Sequence, residues 1–218
     1  MIYIVGLGPG HRDYILPKAL KVMEESDIII GFKRALDSLD FVHNKKVYMK
    51  TLSDLDKYIL KNVNKDNSSS ENENTQVKKE FNISIVASGD PTFYGITNYI
   101  KSKAELEFAI VPGISSFQYL TSKVKLPWNN AYLGSLHGRN EEFLEAVNKN
   151  EMSIWLTDKE NNPAVLCDIL IKGKVNCKVI IGENLSYEDE IISAGTPEEC
   201  SNREYAALSI FIVDKSSL

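Results

Sequence analysis

Apolar positions in this chain alternate between two periods. Short continuous runs, the signature of buried strands, are followed by stripes at three- and four-residue spacing, the signature of helices. Residues 2–5 form the first run, which stops at Gly6-Leu7-Gly8-Pro9-Gly10. Leu16, Ala19, Leu20 and Met23 then mark one helix face, with Pro17 in the first turn. Residues 27–30 predict a second strand, closed by Gly31, residues 32–39 a helix, and residues 46–49 a third strand. Ser53 reads as an N-cap with Asp56 three residues on, and Leu55, Tyr58 and Ile59 as the buried face. Two copies of one device follow. The run Ile83, Ile85, Val86, Ala87 stops at Ser88-Gly89-Asp90-Pro91, and Phe93, Ile96 and Ile100 recur at helical spacing. The run Leu106, Phe108, Ala109, Ile110, Val111 stops at Pro112-Gly113. Ser115 and Ser116 open the next stripe, Phe117, Leu120 and Val124. Repeated strand–helix pairs imply a mainly parallel sheet.

Lys125-Leu126-Pro127-Trp128-Asn129-Asn130 interrupts the pattern, which divides the chain into α/β domains 1–124 and 125–218. In the second, strands are expected at 132–135, 154–156 and 179–181. Helices are marked by Phe143, Leu144, Val147 and by Val165, Leu166, Ile169, Leu170. Strands near 190–194 and 208–213 have too little helix between them for a parallel crossover. They are expected to pair antiparallel, making this sheet mixed. Between residues 65 and 80 the only apolar side chain is Val77. Such a segment buries too little surface to offset its ordering entropy and reads as a flexible surface insertion, with a recognition arm as the alternative.

Composition narrows the class. Hydrophobic residues at 43% suffice for a globular core, and a net charge of −5 lacks the basic footprint of nucleic-acid binding. Cys167, Cys177 and Cys200 are odd in number and show no C-x-x-C spacing, as expected of buried or incidental thiols in a reducing cytoplasm. The first residues carry no basic signal-peptide region, and no apolar run approaches a membrane span.

The glycine turns carry the candidate chemistry. Ligands of open α/β sheets bind at the carboxyl ends of the strands, where glycine lets a ligand reach the backbone. The first turn is no dinucleotide fingerprint: His11 stands where the third glycine belongs, and Pro9 removes an N–H. No Gly-Lys-Ser/Thr follows, so it is no P-loop. Asp90 either caps a helix starting at Pro91 or faces a ligand. Gly95 inside that helix would cost about 1 kcal/mol relative to alanine, which suggests a close approach there.

Gly6-x-Gly8-Pro9-Gly10, Gly89-Asp90-Pro91-x-Phe93-Tyr94-Gly95 and Val111-Pro112-Gly113-Ile114-Ser115-Ser116 resemble, in order and spacing, the tetrapyrrole (corrin/porphyrin) methylase family. Leu126-Pro127-Trp128, Ser135-Leu136-His137-Gly138-Arg139 and Glu183-Asn184-Leu185-Ser186-Tyr187-Glu188-Asp189-Glu190 resemble its precorrin-7/cobalt-precorrin-7 C5-methyltransferase branch, in cobalamin biosynthesis. The resemblance covers nearly all of the chain except residues 65–80. It implies an α/β fold of two domains, with S-adenosylmethionine (SAM) in a cleft between them, and a cytoplasmic homodimer. Carried over by position, Pro9, Gly89, Asp90, Phe93, Ser115, Ser116, Leu156 and Gly195 would bind the cofactor. Gly8, Gly10, His137 and Arg139 would meet the corrinoid substrate. Some homologues carry a further domain for C15 methylation and decarboxylation. This chain ends at Leu218, so a separate protein is expected to supply that activity.

The residue types suit the reaction. A ring carbon attacks a sulfonium methyl, so no activated Ser or Cys and no protein-bound metal are required. A proton must leave the methylated ring, and His137 is the candidate acceptor, although a surface or core histidine is the commoner identity. Arg139 suits a polycarboxylate substrate. Arg12, Lys33 and Arg34 follow the first two strands and could join it, with solvated surface charge the blander reading. Other readings are a methylase of the same fold acting on another tetrapyrrole carbon, on protein (diphthine synthase-like) or on RNA, and a non-catalytic binding module. The charge argues against RNA.

Overall fold

The computed structural model describes residues 1–56, 58, 81–103, 107–137 and 142–216. The insertion read at 65–80 and the buried-face residue Ile59 lie outside them. Two compact units divide the chain, Met1–Ser115 and Ser116–Leu218. The sequence reading put its boundary after residue 124. The intervening helix goes with the second unit because Phe117 packs edge-on against Trp128, with centroids 5.1 Å apart, and Leu120 lies beside Gly182.

In the first unit, β1 (Ile2–Gly6), β2 (Ile28–Phe32), β3 (Lys45–Met49), β4 (Ile83–Ala87) and β5 (Phe108–Val111) form a five-stranded sheet ordered β3-β2-β4-β1-β5. Every pairing in it is parallel. Alternating strand residues serve two cores. Ile4, Ile30 and Ile85 pack with Leu55, Ile96 and Ile100 on one face. Val5, Ile29, Val86 and Val111 pack on the other against α1 (Pro17–Glu24) and α2 (Lys33–Asp37). The second strand does not stop at Gly31 but runs through it to Phe32, paired with Tyr48 and Met49.

Two helix starts differ from the sequence reading. Ser53 lies within the first turn of its helix: residues 52–56 are helical, and the Asp54 carboxylate accepts from the Thr51 N–H at 3.0 Å. No helix begins at Pro91. Tyr94 has φ 51°, which breaks right-handed helix, and α3 begins only at Thr97 (Thr97–Lys101). The Thr97 N–H and hydroxyl both donate to the Pro91 carbonyl, holding the intervening residues as a compact turn. Asp90 therefore caps no helix.

The second unit holds α4 (Ser116–Lys123), β6 (Tyr132–Ser135), α5 (Phe143–Lys149), β7 (Met152–Leu156), α6 (Pro163–Lys172), β8 (Lys178–Glu183), β9 (Ile191–Gly195), α7 (Pro197–Cys200) and β10 (Ser209–Asp214). Its sheet is ordered β6-β7-β10-β8-β9 and is mixed, with only β6 and β7 parallel. β9 and β10 do not pair with each other; each lies antiparallel to β8, one on either side. Trp155 and Phe211, both fully buried, anchor the core with Phe143.

The loops after β1, β4 and β5 interlock. Leu7 N–H donates to Ala87 O at 2.9 Å, Gly89 N–H to Gly8 O at 2.7 Å and Gly8 N–H to Gly89 O at 3.3 Å. A Cβ at Gly6 would stand 2.6 Å from Gly113 N and 2.8 Å from Gly89 O, so the third loop is equally close. Asp90 fastens the arrangement. Its Oδ2 accepts from Gly113 N–H at 3.1 Å, and its Oδ1 accepts from Thr92 N–H at 2.7 Å and from the Thr92 hydroxyl. Partial burial pushes its carboxyl up. The donors at Thr92, Gly113 and Phe93 outweigh this and hold it below the ordinary carboxylate value. The ionised form thus contributes stability above the ordinary carboxylate pKa, and that contribution is lost as pH falls through the lower native value. Asp90→Asn turns an amide donor toward an N–H at one of these contacts. Urea unfolding should register a loss of about 1–2 kcal/mol at pH 7, shrinking as the pH falls from the ordinary carboxylate value through the lower native one.

Candidate functional site

The interlocked loops expose bare main chain. Gly8 and Gly89 adopt φ of 80° and 66°, and around the Cβ direction of Gly89 the nearest foreign atom is Ser115 Cα at 3.7 Å. A side chain at Gly89 would be strained yet not obstructed; glycine there leaves the peptide surface open to a ligand. The structure thus brings together Gly8, Gly89, Asp90 and Ser115 from three loops. Pro9 and Gly10 continue the first loop, and Ser116 opens α4. Phe93 meets Tyr94 edge to face, with centroids 5.0 Å apart, inside the strained turn after β4. Backbone held out of the common regions collects where binding or catalysis needs it. Arg12 and Lys33 are exposed and paired with Asp13 and Asp37. They behave as solvated surface charge.

A second group of predicted residues lies along one edge of the second sheet. Leu156 ends β7, and His137 follows β6. The His137 ring is exposed, with Nδ1 3.3 Å from the Thr157 carbonyl oxygen. A carbonyl only accepts, so this contact selects the Nδ1–H tautomer and leaves the Nε2 lone pair as a base. Gly195 is not part of this edge. Leu156 is level with Ile210 and Gly182, whereas Gly195 faces Val179 at the other end of β8. The cause is the reversal of β9 relative to β8. Gly138 and Arg139 lie outside the described residues.

This edge also holds features that the sequence reading did not assign. Asn184 and Ser186 have φ of 45° and 68° in the turn after β8. The Glu190 carboxylate accepts from Ser186 N–H at 2.6 Å, and Asn184 Nδ2 donates to Asp189 at 2.7 Å. Glu183, only 4% exposed, accepts from Ala206 N–H at 2.8 Å and lies 3.3 Å from Arg203 Nη2. The sequence signal was present in Glu183–Glu190, but spacing alone does not reveal that the carboxylate is buried. The thiols of Cys167 and Cys177 are buried, and burial pushes them up to about 12 and about 11, which leaves them un-ionised and unsuited to nucleophilic work. Among the described residues no group of three or more His, Cys, Asp or Glu could hold a metal, and no helix is long and apolar enough to cross a membrane.

Comparison with known proteins places these features in a lineage. The model of the tetrapyrrole (corrin/porphyrin) methylases matches residues 1–200. The probable cobalt-precorrin-7 C(5)-methyltransferase of Methanocaldococcus jannaschii is 34% identical, over 98% of this chain and 98% of its own. The cobalt-precorrin-7 C(5)-methyltransferase of Salmonella typhimurium is 28% identical, over 99% of this chain and all of its own length (100%). The crystal structure of the cobalamin biosynthesis precorrin-6Y methylase from Archaeoglobus fulgidus superposes with a TM-score of 0.73 at 22% identity, covering 99% of this chain and 98% of that one. Uroporphyrin-III C-methyltransferase from Thermus thermophilus, solved with S-adenyl homocysteine, gives 0.75 at 17% identity, over 98% and 92%. At such identities the two structures speak for the fold alone. The family match and the full-length archaeal relative go further: the chain belongs to the tetrapyrrole (corrin/porphyrin) methylase family.

Proposed function

We propose that the chain transfers a methyl group from SAM to C5 of a corrin-ring precursor, cobalt-precorrin-7 or precorrin-7. The observation that carries this reading is the end-to-end match with an archaeal and a bacterial protein, both named for that reaction. SAM use is further supported by the S-adenyl homocysteine held by a relative of the same fold.

In this reading Pro9, Gly89, Asp90, Phe93, Ser115 and Ser116 hold the cofactor, joined by Leu156. Gly195, at the opposite end of its sheet, is left out of the set. Asp90 acts chiefly through the loops it ties together. Gly8 and Gly10 offer backbone to the substrate, and Arg139 matches its carboxylates by charge and by bidentate geometry. When bound, SAM supplies a methyl group on a sulfonium. The new carbon–carbon bond at C5 forms as the sulfur–carbon bond breaks, and a proton then leaves the ring. The protein's part is alignment and exclusion of water. His137 receives the proton at Nε2, and the Thr157 carbonyl, accepting from Nδ1–H, holds the ring in the tautomer that leaves Nε2 open. The reading includes a homodimer in a reducing compartment, which suits three buried, unpaired thiols.

The reading is tested with 13C-methyl SAM and precorrin-7, with and without cobalt. One methyl should be added and resonate at C5; addition at another carbon would overturn the assignment. Gly89→Ala should raise the SAM Kd at least tenfold. Its own cost, about 1 kcal/mol for a left-handed alanine, should leave the fold intact by circular dichroism. His137→Ala should lower kcat by roughly 100-fold, the usual scale for loss of a general base, with KM for SAM changed less than about twofold.

A further inference from the structure

We propose that Glu183 is a positioning residue for proton removal, acting on His137 through a chain of hydrogen bonds across the second sheet. The inference rests on the reading of His137 as the proton acceptor.

The links run from residue to residue, the accepting carbonyl and the donating group of each being joined through its own backbone. His137 Nδ1 lies 3.3 Å from Thr157 O. The Thr157 hydroxyl donates to Ser209 O at 2.8 Å, and its N–H points to the same oxygen at 3.4 Å. The Ser209 hydroxyl donates to Ala206 O at 2.7 Å, and Ala206 N–H donates to Glu183 Oε2 at 2.8 Å. The links step from the end of β6 to β7, then to the start of β10, then to the end of β8, following the order of the sheet. With Nδ1 protonated, every donor points the same way, from the imidazole toward the carboxylate.

The far end is firmly set. Glu183 is 4% exposed, and its other oxygen lies 3.3 Å from Arg203 Nη2. The Arg203 guanidinium lies over the Tyr205 ring, 5.0 Å from its centroid, and the Tyr205 hydroxyl donates to Cys200 O at 2.7 Å. Asn184 N–H donates to Leu208 O at 3.1 Å, so the end of β8 grips residues 206–208 at two points. Burying the Glu183 carboxylate against an exposed Arg203 is a poor device for stability alone, because desolvating the carboxylate offsets much of the attraction. An orienting task accounts for it better. It fixes residues 206–209, which fix Thr157, whose carbonyl selects the tautomer and ring orientation of His137.

The test is a set of kinetic cycles on the full chain. Glu183→Gln should lower kcat roughly tenfold, within the coupling expected of groups in one network, with KM for SAM unchanged within twofold. Thr157→Val, which removes only the hydroxyl link, should lower kcat by about threefold. In a His137→Ala background neither substitution should lower kcat further. A kcat unaffected by both changes, or the same loss with His137 already removed, would overturn the proposal. If Glu183→Gln does not fold, the Thr157→Val cycle decides the matter by itself. Should His137→Ala alone leave kcat intact, the proton-acceptor reading fails first, and the two failures remain distinguishable.

Discussion

Everything in the first unit depends on how closely three backbones approach at the ends of β1, β4 and β5. Gly6, Gly89 and Gly113 stand so near one another that a single methyl group at Gly6 or Gly113 would meet backbone atoms at under 3 Å. Side chains are thereby excluded from the surface on which a ligand would rest, and peptide groups replace them. The connections lead to opposite sides of the sheet, from β1 toward β2 on one side and from β4 toward β5 on the other, which puts this contact at the switch point of the topology. Asp90 completes it by bonding across loops that share no strand pairing beyond the sheet itself.

The second unit solves a related problem by different means. The geometry of the sheet end that bears His137 is held by side chains acting on backbone: Glu190 on Ser186, Glu183 on Ala206, Thr157 on Ser209 and Ser209 on Ala206. Two non-glycine residues, Asn184 and Ser186, sit at positive φ there, as Tyr94 does in the loop after β4. These three lie in turns that follow a strand's carboxyl end, whereas Lys125 and Lys174, also at positive φ, follow helices.

Much of this was legible in the residues. Strands β1 and β6, the helix at Pro17 and the three glycine turns follow from period and punctuation, which depend on local sequence. What escaped reading depended on distant partners. Pro91 has the credentials of a first helical residue, but Tyr94 at positive φ and the bonds from Thr97 to Pro91 override them. β9 and β10 looked like a hairpin because little helix separates them, yet both found β8 a better neighbour. Gly195 is a looser carry-over from the family, its neighbours matching poorly, and only the strand directions put it at the far end from Leu156. The burial of Glu183 and its bond to Ala206 could not be inferred from a stretch rich in acidic residues.

The position of β1, between β4 and β5, also bears on how the chain comes into being. Ile2 pairs with Ile83 on one side and with Phe108 on the other. As a ribosome delivers the polypeptide, β1 must therefore wait for the more than 75 residues that separate it from β4 before its first neighbour exists, and for β5 before its second. Until then its apolar residues have no sheet to enter, and closure of so many long loops makes late, cooperative assembly the natural route. A nascent chain halted before β5 would leave this strand lacking one neighbour, and such an intermediate is a natural client for chaperones that shield exposed strand edges.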